Sequence, residues 1–198
     1  MQWNEKLMKS YSQSCQDVFA LNICTTKSYI EIGAKKPVKF NNTYELENNN
    51  FQGFSIELSQ KHLPDWQAES RNNKCYFENA LTFDYQKAIQ ENNMNMHVGY
   101  LSCDIEPAAN TFRALQQVIS QGVTFDCITF EHDEYQEGSK YNLLAKEFMV
   151  SNGYKVAVDR VFINNEPEKI YETWFVNKNI DYEQITYATF LEQNKTII

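Results

Sequence analysis

Two short polar bursts stand out for the chemistry their residue types could do: "CDIEP" (103–107) and "FEHDE" (130–134). Each closes an apolar run. Asp104 and Glu106 in the first, and Glu131, His132 and Asp133 in the second, place carboxylates and an imidazole where two strands would stop. A neutral imidazole accepts a proton near pH 7, and a flanking carboxylate orients it. His132 is therefore the expected general base, with Asp104 and Glu131 as its catalytic companions. Such assistance contributes on the order of 100- to 10,000-fold to a step that removes a proton. The same oxygens would also suit a hard cation such as magnesium, with Asp104, Glu106 and Asp133 as candidate ligands, although their spacing fixes no coordination geometry. His62 and His97 lie in helix and loop contexts without acidic company, which predicts structural roles for both.

The second place to look is "YIEIGAKKPVKFNNTYELE" (29–47). A dinucleotide site would continue from its glycine with further glycines, in the pattern G-x-G-x-x-G, to cradle a pyrophosphate. Here Gly33 is followed by Ala34, Lys35, Lys36 and Pro37, and the next glycine is Gly53. The small pair Gly33-Ala34 still permits close approach of a ligand. Glu57, closing the next apolar run, is placed to accept both hydroxyls of a ribose. A nucleoside without a phosphate fits these features, and S-adenosylmethionine is one, with Glu31 facing its ammonium. The alternative is that Glu31 and Glu57 cap loop amides. Lys35 and Lys36 either point to solvent or help hold an anionic acceptor.

These residues need a scaffold. Apolar runs at 28–33, 53–58, 75–80, 98–106 and 125–135 read as strands, each ending in polar groups. Between them, helical spacing recurs: Val18, Phe19, Leu21 and Ile23 after Ser14; Pro64 in a first turn; 83–93; Phe112, Leu115, Val118 and Ile119 between Pro107 and Gly122; and 140–154 up to Gly153. Two further runs, 154–163 and 171–178, read as closing strands. Alternation of this kind predicts an α/β fold with a mostly parallel sheet and helices on both faces. In such sheets ligands sit beyond the carboxyl ends of the strands, where strand order reverses.

The 198 residues suffice for one domain with its own core. No apolar run approaches the ~20 residues that span a bilayer. The start of the sequence lacks the apolar core of a leader. The cysteines Cys15, Cys24, Cys75, Cys103 and Cys127 form no C-x-x-C pair and read as reduced core thiols. Together these features predict a cytoplasmic protein without membrane insertion. A net charge of −8 disfavours nucleic acid as a partner.

The order of these motifs resembles the FkbM family of S-adenosylmethionine-dependent methyltransferases. The likeness runs from about residue 11 to 178 through "YSQSCQD", "YIEIGAKKPVKFNNTYELE", "FQGFSIEL", "NALTFDY", "YLSCDIEPAANTFRAL", "ITFEHDEY", "NGY" and "YETWFV". The resemblance implies a Rossmann-like class I methyltransferase with a seven-stranded sheet. It also implies that Gln16, Glu31, Gly33, Asn42, Thr43, Glu57, Leu58 and Ala80 line the cofactor, to which position adds Ala34 and Asn79. Lys35 and Lys36 depart from the family pattern.

The resulting expectation is a single methyltransferase domain over 1–198, with an N-terminal helical cap at 1–27, a core at 28–178 and a tail at 179–198. It would methylate a hydroxyl of a sugar, glycan or small metabolite. The alternatives are a non-catalytic nucleoside-binding module of the same fold or an NAD-dependent oxidoreductase, the latter lacking its glycine-rich turn.

Overall fold

Every residue of the first strand, Ser28–Ile32 (β1), is buried, as a strand covered by helices on both faces requires. The computed structural model describes residues 9–163 and 165–194. Parallel to β1 run Gln52–Ile56 (β2) and His97–Cys103 (β4), flanked in turn by Lys74–Tyr76 (β3) and Thr124–Glu131 (β5). Ile170–Asn177 (β7) lies antiparallel between β5 and Tyr154–Phe162 (β6). A two-residue strand, Ile185–Thr186 (β8), pairs with the outer side of β6. The order is β3-β2-β1-β4-β5-β7-β6-β8, eight strands where seven were expected. The extra strand falls in the segment expected as a tail, and it was not legible because only one of its two residues is apolar.

Side chains alternate across this sheet. Tyr29, Tyr100 and Cys127 join one core with Phe19 of Gln16–Ile23 (α1), Leu46 of Tyr44–Asn48 (α2) and Phe190 of Tyr187–Gln193 (α8). Ile30, Leu101 and Ile128 join the other, with Ile89 of Tyr85–Glu91 (α4), Leu115 of Ala108–Ser120 (α5) and Met149 of Lys140–Ser151 (α7). Each such side chain contributes ~1.5–3 kcal/mol by leaving water. Leu63–Ala68 (α3), with Pro64 in its first turn, and Glu134–Glu137 (α6) complete the helices of the described residues. The short α2 and α6 and the late α8 were not expected. Ser14 does not cap α1 either: its hydroxyl accepts from the Tyr171 hydroxyl at 2.6 Å, and Cys15 holds the N-cap position.

Strand order reverses between β2 and β4, on either side of β1, so the chain diverges there and leaves a crevice beyond the carboxyl ends. Gly33 stands at that point. Its φ is +87°, and a Cβ built on it would lie 1.6 Å from the Asp104 carbonyl oxygen at the end of β4. The glycine is thus required first by the contact between the β1 and β4 ends. Gly33→Ala combines a left-handed backbone with that overlap, so it should destabilise the fold by more than about 2 kcal/mol in urea titration. A loss within experimental error would show that the β1–β4 junction has room to spare.

Candidate active site

The crevice opens into a cavity of about 610 Å³. Gly33 from the β1 end, Glu57 and Leu58 from the β2 end, Asn79 and Ala80 after β3, and Asp104 after β4 all line it. Leu58 is 68% exposed and Phe40 63% exposed, so two large apolar side chains stand open at its wall. Among the expected cofactor residues, Gly33, Glu57, Leu58, Asn79 and Ala80 face this space, whereas Gln16, Glu31, Ala34, Asn42 and Thr43 do not line it.

Glu57 works as a clamp. Its Oε2 accepts the Lys35 backbone N–H at 2.9 Å, and its Oε1 accepts the Ser59 N–H at 2.6 Å. The loops after β1 and β2 are thereby held by one carboxylate. Each carboxylate oxygen has a second lone pair, so Glu57 can still accept from a ligand hydroxyl.

Glu31 is buried and fully engaged. It accepts from Asn41 Nδ2 at 3.0 Å, the Asn42 N–H at 3.1 Å, Thr43 Oγ1 at 2.9 Å and Ser55 Oγ at 2.8 Å. The expectation that Glu31 faces the cofactor ammonium therefore gives way to the capping alternative. Asn42 and Thr43 follow it inward, Asn42 Nδ2 bonding Ser102 Oγ at 2.9 Å. They shape the loop from beneath. Burial drives the Glu31 carboxyl above its usual range against the pull of the Arg71 charge.

At the β4 and β5 ends the acids gather around a lysine. Lys35 Nζ lies 3.8 Å from Asp104 Oδ2 and 3.8 Å from Glu106 Oε1. Asp104 Oδ1 is buried and finds no N–H or hydroxyl donor. The group beside it is the Glu131 carboxyl. Burial raises both acids, and for Glu131 the Asp104 charge adds to the rise. Across the β5–β7 pairing, Glu131 stands opposite Glu172. Among the described residues no group of three or more His, Cys, Asp or Glu side chains is arranged to hold a metal ion. Two of the candidate ligands, Asp104 and Glu106, are instead bridged by the Lys35 ammonium, so this donor set does not fit a divalent cation.

No family model matches the chain, and no curated protein matches it significantly. Solved structures do. The methyltransferase domain of bacterial CtHen1-C matches with a TM-score of 0.55 at 11% identity, covering 83% of this chain and 97% of that one. The plantazolicin methyltransferase BpumL, solved with SAH, gives 0.58 at 8% identity over 84% and 83%. Spermidine synthase from Thermotoga maritima gives 0.52 at 9% identity over 94% and 73%. The fold is that of class I methyltransferases.

Within this methyltransferase fold, His132 is not where a general base would have to be. It is fully buried, its Nε2 is 3.2 Å from Thr173 Oγ1, and its Nδ1 accepts the Glu134 N–H at 3.3 Å. Burial, with the Lys146 charge, lowers its pKa to about 4, so it is a neutral structural imidazole. The expectation of an accessible base is thereby corrected. Gln16 is also redirected: its Nε2 donates to the Tyr171 hydroxyl at 3.0 Å and to Glu172 Oε1 at 2.9 Å behind β7. Glu172 also accepts the Trp174 indole N–H at 2.6 Å, and burial lifts its pKa to about 8. His97 does have acidic company, with Nε2 at 2.9 Å from Asp126 Oδ1. Sequence reasoning missed Asn41, Arg71 and the cavity-lining His62. A lone arginine between apolar Trp66 and the "NNK" turn was the available signal for Arg71.

The buried acid and imidazole set opposite limits on stability. Glu172 rises from 4.5 to about 8 on folding, so its contribution is present at low pH and lost as pH climbs through about 8. His132 falls from 6.5 to about 4, so its contribution is present above 6.5 and lost as pH drops through about 4. Unfolding titrations of Glu172→Gln should show a shallower loss of stability than wild type between about pH 4.5 and 8, where the unfolded carboxyl is ionised and the folded one is not. An identical slope would mean that folding does not raise the Glu172 carboxyl.

Proposed function

We propose that the chain is an S-adenosylmethionine-dependent methyltransferase of the FkbM kind, cytoplasmic, acting on a hydroxyl of a sugar, glycan or small metabolite. The observation that carries this reading is the cavity where Gly33, Glu57 and Asn79-Ala80 converge at the switch point of a methyltransferase-type sheet. The residues fit the cofactor: a carboxylate with free lone pairs for a ribose, small residues at Gly33 and Ala80, and apolar Leu58, Leu81 and Ile105 for a planar base. When bound, the cofactor supplies an electrophilic methyl on sulfur. SAH, with which BpumL was solved, is the demethylated form of the same molecule.

The chain's own residues then have defined tasks. Leu58 and Ile105 exclude water from the cavity wall, and Glu57 orients a diol while keeping the two loops in register. Asp104, which lines the cavity at the β4 end, is the candidate to take the acceptor's proton, with Glu131 sharing it and Lys35 balancing the charge. A carboxyl pair whose proton affinity is raised by burial can serve as a base nearer neutral pH than a solvated acid. His132 supports the β5 end through Thr173 and Glu134.

Calorimetry tests the reading. SAH should bind with Kd of order micromolar (~−8 kcal/mol) while NAD does not bind. Glu57→Gln should weaken SAH about tenfold or more, the worth of one hydrogen bond to a charged group. Asp104→Asn should lower turnover far more than it lowers SAH affinity. Failure of SAH to bind the wild-type chain would remove the methyltransferase reading.

A further inference from the structure

The cavity is bordered by four lysines, three of which join no ion pair among the described residues. Lys35, Lys36 and Lys39 come from the loop after β1, and Lys61 and His62 from the 3-10 turn Gln60–His62. Of the acids lining the same space, Glu57 is taken by two backbone amides, and Asp104 and Glu106 by Lys35. Lys36, Lys39 and Lys61 join no ion pair among the described residues. Gathering unpaired lysines at one opening runs against the composition of a chain with net charge −8.

The backbone that carries these lysines is fixed in advance. The Trp66 indole N–H donates to the Lys35 carbonyl at 3.1 Å, and Asn41 Nδ2 donates to the Lys36 carbonyl at 3.0 Å. Arg71 donates to the Pro37 carbonyl. Lys39 lies over the ring of the exposed Phe40, with Nζ 5.1 Å from its centroid. Glu57 ties the two lysine-bearing loops to each other through Lys35 and Ser59. Only the side chains remain to be ordered, which reduces the entropic cost of gripping a ligand. The cofactor does not account for them: a sulfonium amino acid brings one carboxylate beside an ammonium and a sulfonium, hence net positive charge.

We propose that the Lys36-Lys39-Lys61 rim binds an anionic group of the acceptor, a phosphate ester or a carboxylate. This deepens the methyltransferase reading by naming its substrate class, and it rests on that reading for the word acceptor alone. The anion would sit at the lysine rim, with the acid pair Asp104–Glu131 on the opposite, β4–β5 side of the site. An acceptor carrying an anion at one end and a hydroxyl at the other meets both. Lys35 stays with Asp104 and Glu106 and takes no part in anion binding.

The test titrates the full chain at low salt, with and without SAH, using pyrophosphate for a phosphate ester, citrate for a carboxylate and glucose as the neutral control. Pyrophosphate or citrate should bind and glucose should not, and whichever anion binds more tightly tells the two sources apart. Affinity should fall as salt rises, since the contact is between exposed charges. The K36Q/K39Q/K61Q variant, checked for folding by its melting curve, should lose about tenfold or more in that affinity. If neither anion binds, or if the variant binds as well as wild type, the proposal is overturned. SAH binding without anion binding sinks the anion rim and spares the cofactor reading. Anion binding without SAH binding does the reverse.

Discussion

Much of the site hangs on the buried guanidinium of Arg71. Its Nη2 lies 2.6 Å from Glu47 Oε1, and the two side chains are 3% and 4% exposed. The same group donates to Asn41 Oδ1, Thr43 Oγ1 and the Tyr29 hydroxyl, at 3.1, 3.0 and 3.2 Å, and its carbon lies 4.9 and 5.6 Å from the ring centroids of Trp66 and Tyr44. One residue thus ties the loop after β1 to the β1 strand, to α2 and to α3. Charges buried in this way gain little over an apolar filling, but leaving one without its partner costs ~3–5 kcal/mol. The pair therefore acts as a locator. With it in place, Asn41, Asn42 and Thr43 reach Glu31, and the exposed half of the loop meets the cavity from a fixed backbone.

This division explains how two acids of similar appearance in the sequence take different parts. Glu31, within β1 and under the loop, receives four donors and becomes part of the interior. Glu57, one residue past β2, receives two amides and keeps a face toward the cavity. Position relative to the strand end, by a residue or so, separates framework from ligand surface. The acids after β4 and β5 and the lysines after β1 and β2 then give the opening a negative floor and a positive rim.

The sheet was legible because parallel strands buried on both faces leave continuous apolar runs punctuated by polar ends, and β1, β2, β4 and β5 all read that way. The acid at the β2 end was legible for the same reason. His132 was misread because neighbours along an extended chain point to opposite sides. Glu131 turns toward Asp104 while His132 turns inward to Thr173, so adjacency in "FEHDE" does not make one site. That alternation was the signal available. Arg71 and Glu47 were not legible as a pair, since nothing local marks a contact between a turn and a helix 24 positions earlier. The segment after β7 looked like a tail because its polar content hides Tyr187 and Phe190, which reach the core beside Trp174.

The place of β7 has a consequence for how the chain reaches this state. It is among the last strands to be made, yet it lies inside the sheet, between β5 and β6. Until residues 170–177 have left the ribosome, the edge of β5 and one side of β6 stay unpaired, with Cys127, Ile128 and Phe130 along the open ladder. Such an edge is a template for another chain. The nascent protein must therefore keep an incomplete sheet in solution until β7 has emerged, and that interval, rather than the finished surface, is where chaperone attention would be concentrated.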